Sequence, residues 1–221
     1  MLLEKERQQV ADFGRKLSSS GLTKGTGGNI SIFDKKSGYM VIKPSGMAYK
    51  DIEAIDVVVM DLNGNIIEGS KKPSSEYELH AMIYRMHDDA RAVVHSHAMY
   101  TTTLACMGQA VVATHYLIAA AETSKVSCVK YATFGSDELA QNVKAANPKG
   151  LAMLLENHGM VAFGPTIEKA YNVAENVEWV AEIQWRAMCA GRPVILADEE
   201  IDKVIKSFKS YGQPEDNKSG Y

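Results

Sequence analysis

Two histidines stand one residue apart in "AVVHSHAMY", residues 92–100, directly after an apolar run. In an extended strand, residues i and i+2 point to the same face, so His95 and His97 would present two imidazoles side by side. Imidazole nitrogens are common ligands of divalent metals, above all zinc. The spacing therefore indicates part of a metal site, although a polar surface face or a buried pair bonded to carbonyl groups gives the same pattern.

A third histidine lies in "LLENHGMVAFG", which predicts two strands joined by a tight turn at His158 and Gly159. That turn places His158 at a strand end, where loops gather into sites. Three imidazoles with one exchangeable position are a common arrangement for a catalytic metal, whereas a turn histidine bonded to the backbone is the structural alternative. We interpret His80 and His87 as structural or surface residues and leave His115 unassigned.

The stretch "KKPSSEYELH" predicts the start of a helix. Ser74 and Ser75 stand where free backbone N–H groups and the positive end of the helix dipole attract an anion. Glu76 follows them in the first turn. The same residues are also typical of an ordinary helix cap with an acid in the first turn.

Two short loops, "KGTGGNIS" at residues 24–31 and "KPSGM" at residues 43–47, resemble anion-binding loops. Glycines let the backbone approach a ligand closely, and the neighbouring amide and hydroxyl groups can donate hydrogen bonds. The residues concerned are Gly27, Gly28, Asn29, Ser45 and Gly46. Neither loop has the spacing of a P-loop or a dinucleotide fingerprint, and each alone is typical of a turn.

Apolar periodicity and turn signals predict the elements that position these residues. Helices are expected at 3–19, 75–87, 98–106, 137–146, 166–190 and from 198 onward. Strands are expected in "GTGGNISIF", "GYMVIKP", "DVVVMDL", "NIIEG" and "AVVHSH", and at 111–114, 127–131, 151–155 and 160–163. The mixed order favours a single α/β domain, residues 1–212, with a central, mainly antiparallel sheet layered with helices, and residues 213–221 as a flexible tail.

Composition limits the class of protein. The 221 residues are 46% apolar and carry a net charge of −3 with a pI near 6.1, which argues against a nucleic-acid partner. The three cysteines show no disulfide or CxxC spacing and are predicted to be reduced core residues. With no export signal or membrane span in the sequence, we expect a cytoplasmic protein without a membrane partner.

Taken together, "GTGGNIS", "KPSG", "PSSE", "AVVHSHA", "ATHY", "YATFG", "ENHG" and "SFKSYG" resemble the class II aldolase and adducin-head family, over almost the whole chain. The resemblance implies an enzyme that binds one Zn2+ per subunit and cleaves a ketose 1-phosphate to dihydroxyacetone phosphate and an aldehyde, through an enediolate whose charge the metal spreads. It also implies a homotetramer with active sites between subunits.

The resemblance assigns roles to individual residues. It implies that zinc is held by His95, His97, His158 and Glu76, with Glu76 also the catalytic acid/base. It implies that the substrate phosphate is held by Gly28, Asn29, Ser45, Gly46, Ser74 and Ser75. The aldehyde end is expected near Phe134, Tyr211 and Tyr116, with Tyr116 as the proton donor.

Three alternatives stay open, the first being related dehydratases and rhamnulose-type aldolases. A sugar-phosphate 4-epimerase shares the fold and metal, but is expected to carry an aspartate in place of Glu76 and another acid near Tyr116. A non-catalytic assembly module, as in adducin heads, is disfavoured by the retention of all three histidines and Glu76. The tail after Tyr211, "GQPEDNKSGY", lacks the arginine that the resemblance leads us to expect there. We therefore make no prediction of how the C-terminal segment closes over the site.

Overall fold

An eight-stranded sheet forms the middle layer of the computed structural model, which describes residues 1–211. The predicted tail, residues 213–221, lies outside the described residues. The strands are β1 Asn29–Asp34, β2 Tyr39–Ile42, β3 Val58–Asp61, β4 Ile66–Glu68, β5 Ala92–Ser96, β6 Val111–Val112, β7 Lys125–Val126, β8 Cys128–Val129, β9 Ala152–Leu155 and β10 Gly159–Gly164. The sheet order is β4-β3-β2-β1-β5-β10-β9-β8, and β6 pairs with β7 in a separate ribbon.

Neighbouring strands of the large sheet run antiparallel, apart from the parallel pair β8 and β9. The helices are α1 Glu4–Ser19, α2 Tyr77–Met86, α3 Met99–Cys106, α4 Asp137–Ala146, α5 Ile167–Ala190 and α6 Asp198–Phe208. Short 3-10 helices lie at Tyr49–Asp51, Ala54–Asp56 and Tyr116–Ala121. The predicted α/β class with a mainly antiparallel sheet is confirmed.

Strand alternation divides the core into two layers, because successive side chains point to opposite faces of a sheet. On β5, Val93 packs in the core layer that includes Leu79 and Ile83 of α2. Its neighbour Val94 packs in the opposite layer, which includes α1, α3 and α5. Each odd-numbered residue of β5 therefore faces α2, a parity that decides where His95 points.

Three details differ from the sequence predictions. The expected strand at 127–131 is shortened to β8, β7 lies before it and was not predicted, and the 3-10 helices were not predicted either. All three cysteines are free, as predicted, but Cys106 and Cys189 are exposed, so the prediction that they are core residues is wrong, whereas Cys128 is half-buried and packs against the core. Cys106 lies on the exposed side of α3, next to the buried Leu104 and Ala105. Cys189 lies in the last turn of α5, after its last buried residue, Gln184.

Within residues 1–211, none of the helices combines the length and the apolar character that crossing a membrane requires.

Candidate metal centre and active site

The first two ligand candidates are set by β5. His95 shares the parity of Val93, and its ring is completely buried on the α2 side of the sheet. Its Nδ1–H donates to the carbonyl of Met160 on the neighbouring strand β10, at 2.9 Å. That bond leaves Nε2 with its lone pair for a ligand, a common arrangement for metal-binding histidines. His97 follows the end of the strand, and its Nε2 lies 2.9 Å from Nε2 of His95.

The third histidine comes from the turn between β9 and β10. Asn157 adopts a left-handed conformation there, with φ of 55°, and the His158 N–H bonds to the carbonyl of Leu155. The ring of His158 lies 4.7 Å from that of His95 and 5.2 Å from that of His97, centroid to centroid. One ligand atom from each of the three lies within 4.8 Å of the others. The structure thus brings the three predicted histidines together.

Glu76 completes the cluster from the start of α2. One carboxylate oxygen, Oε2, lies 3.4 Å from His95 Nε2 and accepts a hydrogen bond from Asn29 Nδ2 at 2.8 Å. The other, Oε1, lies 3.3 Å from His158 Nε2 and has no hydrogen-bond partner among the described residues, although it is buried. A buried carboxylate oxygen without a donor is costly unless a cation or a substrate group faces it.

The start of α2 is displaced from the prediction. The helix begins at Tyr77 with Glu76 as the flanking residue, rather than at Ser75. Ser74 Oγ accepts a bond from the Glu76 N–H at 3.3 Å, and this local turn keeps Ser74 and Ser75 outside the helix. Glu76 therefore turns its side chain to the histidines instead of capping the helix.

The electrostatics fit a divalent cation. Burial lowers the pKa of His95 well below its ordinary value, and the neighbouring His158 and His97 lower it further. Burial is also the largest cause of the lowered pKa of His97 and of His158. The rings are therefore neutral near pH 7, with lone pairs available for a metal. Two lone pairs facing each other at 2.9 Å repel unless a proton or a cation lies between them, and three imidazoles with one carboxylate are a donor set that suits zinc.

A cavity of about 450 Å³ opens beside this cluster. It is lined by Glu76, His97 and His158, and His95 lies behind them. All six residues predicted to hold phosphate also line it, namely Gly28, Asn29, Ser45, Gly46, Ser74 and Ser75. The separate loops of the sequence thus meet in one place.

A glycine is required where the loop at residues 24–31 crosses β5, the strand that carries His95. Gly28 has φ of +66°, and a Cβ built on it would lie 2.6 Å from the carbonyl oxygen of His95. A side chain at this position would have to push the loop away from β5. The paired glycines in "GTGGN" are the sequence signal of this close approach.

Lys43 was not predicted and lines the same cavity. Its Nζ donates to the carbonyl oxygens of Thr26 and Pro44, both at 3.2 Å, and thus links the two loops that were predicted to bind an anion. The ammonium group also lies 4.7 Å from the centre of the Tyr49 ring. Burial lowers the pKa of Lys43 to about 8. Its position directly before "PSG" is the only hint that the sequence offered.

The residues predicted at the aldehyde end are divided. Phe134 lines the cavity, together with Tyr131, which was not predicted. Tyr116 and Tyr211 are not among its lining residues within 1–211. They lie instead on either side of Phe208, with ring centroids 6.4 Å and 6.5 Å from it.

Comparisons with known proteins agree with this fold and identify the family. Residues 8–185 match the family described as Class II Aldolase and Adducin N-terminal domain. A 5-deoxy-D-ribulose 1-phosphate aldolase from Bacillus thuringiensis is 43% identical over 96% of this chain and 100% of the relative. An L-fuculose phosphate aldolase from Escherichia coli K12 is 38% identical over 93% of this chain and 94% of the relative. A solved structure named L-fuculose 1-phosphate aldolase is 42% identical, with a TM-score of 0.91 over 95% of this chain and 98% of that one.

The chain therefore belongs to the class II aldolase and adducin family. Within it, the aldolase relatives identify the chain as an aldehyde-lyase acting in carbohydrate metabolism.

Proposed function

We propose that this chain is a zinc-dependent aldolase that reversibly cleaves L-fuculose 1-phosphate to dihydroxyacetone phosphate and L-lactaldehyde. The observation that carries the proposal is the meeting of three imidazoles and Glu76 at one end of the cavity that the anion-binding loops line. A metal-binding end and an anion-binding end within one cavity suit a phosphorylated ketose.

The phosphate end supplies orientation. Hydroxyl groups of Ser45, Ser74 and Ser75 line it, and the N-terminal end of α2 adds backbone donors and a favourable dipole. Fixing the phosphate holds the three-carbon half of the substrate against the metal cluster. Such orientation lowers a barrier by several kcal/mol, on the order of 7 or more in favourable cases.

The end of the cavity with the histidines and Glu76 would hold the Lewis acid. A divalent cation held by His95, His97, His158 and Glu76 supplies Lewis-acid stabilisation of the charge that builds up on the substrate's carbonyl oxygen. Asn29 holds Oε2 of Glu76 in place, and Oε1 is the oxygen left to exchange a proton with carbon 3 of dihydroxyacetone phosphate. In the condensation direction Glu76 removes that proton, and in cleavage it returns it.

The aldehyde oxygen needs its own proton partner. Tyr116 fills that role in our proposal by donating its phenol proton to the aldehyde oxygen during condensation. Because Tyr116 is 46% exposed and lies outside the cavity of its own chain, we propose that a neighbouring subunit of a homotetramer supplies it, together with Tyr211. The tetramer and the cytoplasmic location stay predictions.

A second candidate substrate is favoured by the 43% identity to a 5-deoxy-D-ribulose 1-phosphate aldolase. That sugar also yields dihydroxyacetone phosphate, but its aldehyde, acetaldehyde, is shorter than lactaldehyde by one hydroxyl-bearing carbon. The two substrates would therefore use the same metal and phosphate contacts and differ only at the aldehyde end. Phe134 and Tyr131 are the described cavity residues whose aromatic rings suit that end.

The test is a coupled assay of dihydroxyacetone phosphate release from both sugars. Loss of one carbon from a group that fills an apolar pocket changes kcat/KM by about 10–200-fold, and loss of a hydroxyl group that the pocket hydrogen-bonds changes it by more. We expect L-fuculose 1-phosphate to have the higher kcat/KM, and the reverse order would make the 5-deoxy sugar the substrate. L-ribulose 5-phosphate is assayed beside them. Its epimerisation, without release of dihydroxyacetone phosphate from any of the sugars, would show that the chain is an L-ribulose-5-phosphate 4-epimerase.

The aldolase relatives argue against a non-catalytic adducin-like module, the alternative from another class. Purified protein that holds no divalent metal, does not take up added zinc and releases no dihydroxyacetone phosphate from either sugar would support that alternative.

A further inference from the structure

We propose that His80 is a positioning residue for Glu76 and that it acts through Asn29. The proposal rests on the acid/base role proposed for Glu76. It concerns a histidine that the sequence analysis interpreted as merely structural or surface-exposed.

A continuous chain of side-chain contacts leads from Tyr84, near the C-terminal end of α2, to the carboxylate of Glu76. Tyr84 Oη lies 2.6 Å from Ser31 Oγ, which lies 2.6 Å from His80 Nδ1. His80 Nε2 lies 2.5 Å from Asn29 Oδ1. Asn29 Nδ2 then donates to Oε2 of Glu76 at 2.8 Å.

The direction of each hydrogen bond follows from its last link. A carboxylate only accepts, so Asn29 must turn its NH2 group to Glu76 and its carbonyl oxygen to His80. His80 Nε2 must therefore carry the proton, and Nδ1 accepts one from the hydroxyl of Ser31. Burial lowers the pKa of His80 to about 3, so the ring is neutral and carries a single N–H at physiological pH. The tautomer of His80 with its proton on Nε2 thus matches, and supports, the orientation of the Asn29 amide that Glu76 needs.

The fold places these residues by two periodicities. Glu76, His80 and Tyr84 recur every four residues along the start and body of α2, which places them on one helix face. Asn29 and Ser31 are two apart on β1, on the sheet face that α2 covers. His80 and Ser31 are completely buried, and Asn29, Glu76 and Tyr84 are nearly so.

Because these side-chain contacts are buried, they favour one orientation of the Asn29 amide over the other. An amide has two orientations that differ by half a turn, and in the wrong one its oxygen would face the carboxylate oxygen. Loss of the His80 N–H removes the donor that favours the correct orientation, and the buried groups have little access to water as a substitute. Glu76 would then lose the contact that fixes Oε2 and aims Oε1 at the cavity.

The first test compares His80→Phe, which keeps a ring but no nitrogen, with His80→Gln, which keeps an N–H donor near the place of Nε2. We expect His80→Phe to lower kcat about 10–100-fold, the range found when outer partners of ligating groups are removed, with KM and zinc content nearly unchanged. His80→Gln should recover most of the loss. A loss of kcat that parallels a loss of zinc and of thermal stability, without recovery in His80→Gln, would overturn the proposal.

The second test is a double-mutant cycle with Asn29→Ala. If His80 acts through Asn29, the double variant His80→Phe/Asn29→Ala is no slower than Asn29→Ala alone. Effects that multiply would show an independent role and would overturn the inference. Where His80→Phe does not fold, Ser31→Ala replaces it, since it removes the hydroxyl that fixes the tautomer; a lowered kcat at unchanged melting temperature supports the proposal, and an unchanged kcat overturns it.

Glu76→Gln separates this inference from the proposed function. If Glu76→Gln keeps its rate, the proposed role of Glu76 fails and the positioning role fails with it. If Glu76→Gln loses its rate while His80→Phe retains it, only the positioning role of His80 fails.

Discussion

At the scale of single residues, the site depends on how each polar atom is satisfied. One oxygen of Glu76 is held by Asn29, while the other lies beside His158 without a hydrogen-bond donor in the described chain. The Nδ1–H of His95 donates a hydrogen bond to a strand carbonyl, which leaves Nε2 available for a ligand. These assignments separate the atoms that build the site from those left for a cation and a substrate.

Lys43 leads to a prediction about pH. Its pKa is lowered to about 8 by burial, so the ammonium form is complete below that pH and is lost above it. A sugar phosphate is already a dianion above about pH 7, because its second pKa is near 6. We expect the Kd of dihydroxyacetone phosphate to rise as the pH increases through about 8, measured by calorimetry between pH 6.5 and 9.5.

Lys43→Met is the control for this effect, since it keeps the length of the side chain without its charge. Binding by Lys43→Met should be weaker below pH 8 and should lack the inflection. An inflection of the same size in Lys43→Met would assign it to another group.

At the scale of elements, the cluster of Glu76 and the three histidines joins two strands and a helix that are distant in sequence. His95 and His97 come from β5 and the residue after it, His158 from the turn between β9 and β10, and Glu76 from the start of α2. The antiparallel pairing of β5 with β10 brings the histidines of both strands to the same end of the sheet.

Gly159 tests how tightly this end is packed. A Cβ at Gly159 would overlap the carbonyl oxygen of Ser96 and lie 2.9 Å from Cδ2 of His97. We expect Gly159→Ala to reduce zinc affinity and to lower the free energy of unfolding by about 1–3 kcal/mol, the usual effect of overpacking. Urea unfolding and zinc titration measure the two effects.

Gly191→Ala is a matched control. Gly191 has extended backbone with φ of 167°, and no atom lies within 4 Å of a Cβ built on it. We expect the free energy of unfolding of this variant to stay within about 0.5 kcal/mol of that of the native protein, with unchanged zinc binding. Equal effects in the two variants would contradict the close packing at β10.

The sequence predicted what depends on local pattern. The apolar run before His95, the turn at His158 and the glycines of the first loop are all local signals, and each led to the right element. Ser74 and Ser75 indicated α2 but placed its start too early, because the Ser74 hydroxyl bonds the Glu76 N–H ahead of the helix. The two-residue strands β6, β7 and β8 were missed in part, because such short pairings are set by tertiary contacts. The link between His80 and Asn29 was missed because periodicity shows that α2 has a buried face, but not which strand it covers.

At the scale of the whole molecule, the residues proposed for one reaction are in two places. Glu76 and the histidines lie at the cavity, whereas Tyr116 packs near Phe208 and α6. The chain alone does not join them, which is what an active site shared between subunits predicts.

Mixing two inactive variants tests that arrangement. If Glu76 of one subunit works with Tyr116 of its neighbour, co-expressed Glu76→Gln and Tyr116→Phe chains should regain about one quarter of the native sites through random assembly. The measurement is the rate of dihydroxyacetone phosphate release from purified mixed oligomers. If both residues act within one chain, the mixture stays as slow as the separate variants.

The measurement that tests the central claim most directly is hydrogen exchange at carbon 3 of dihydroxyacetone phosphate in heavy water, followed by NMR without any aldehyde. We expect the native enzyme to replace one of the two hydrogens at that carbon, a chelator to stop the exchange and added zinc to restore it, and Glu76→Gln to bind zinc without exchanging. Exchange that persists in Glu76→Gln, or that is insensitive to the chelator, would contradict the chemistry assigned to Glu76 and the three histidines.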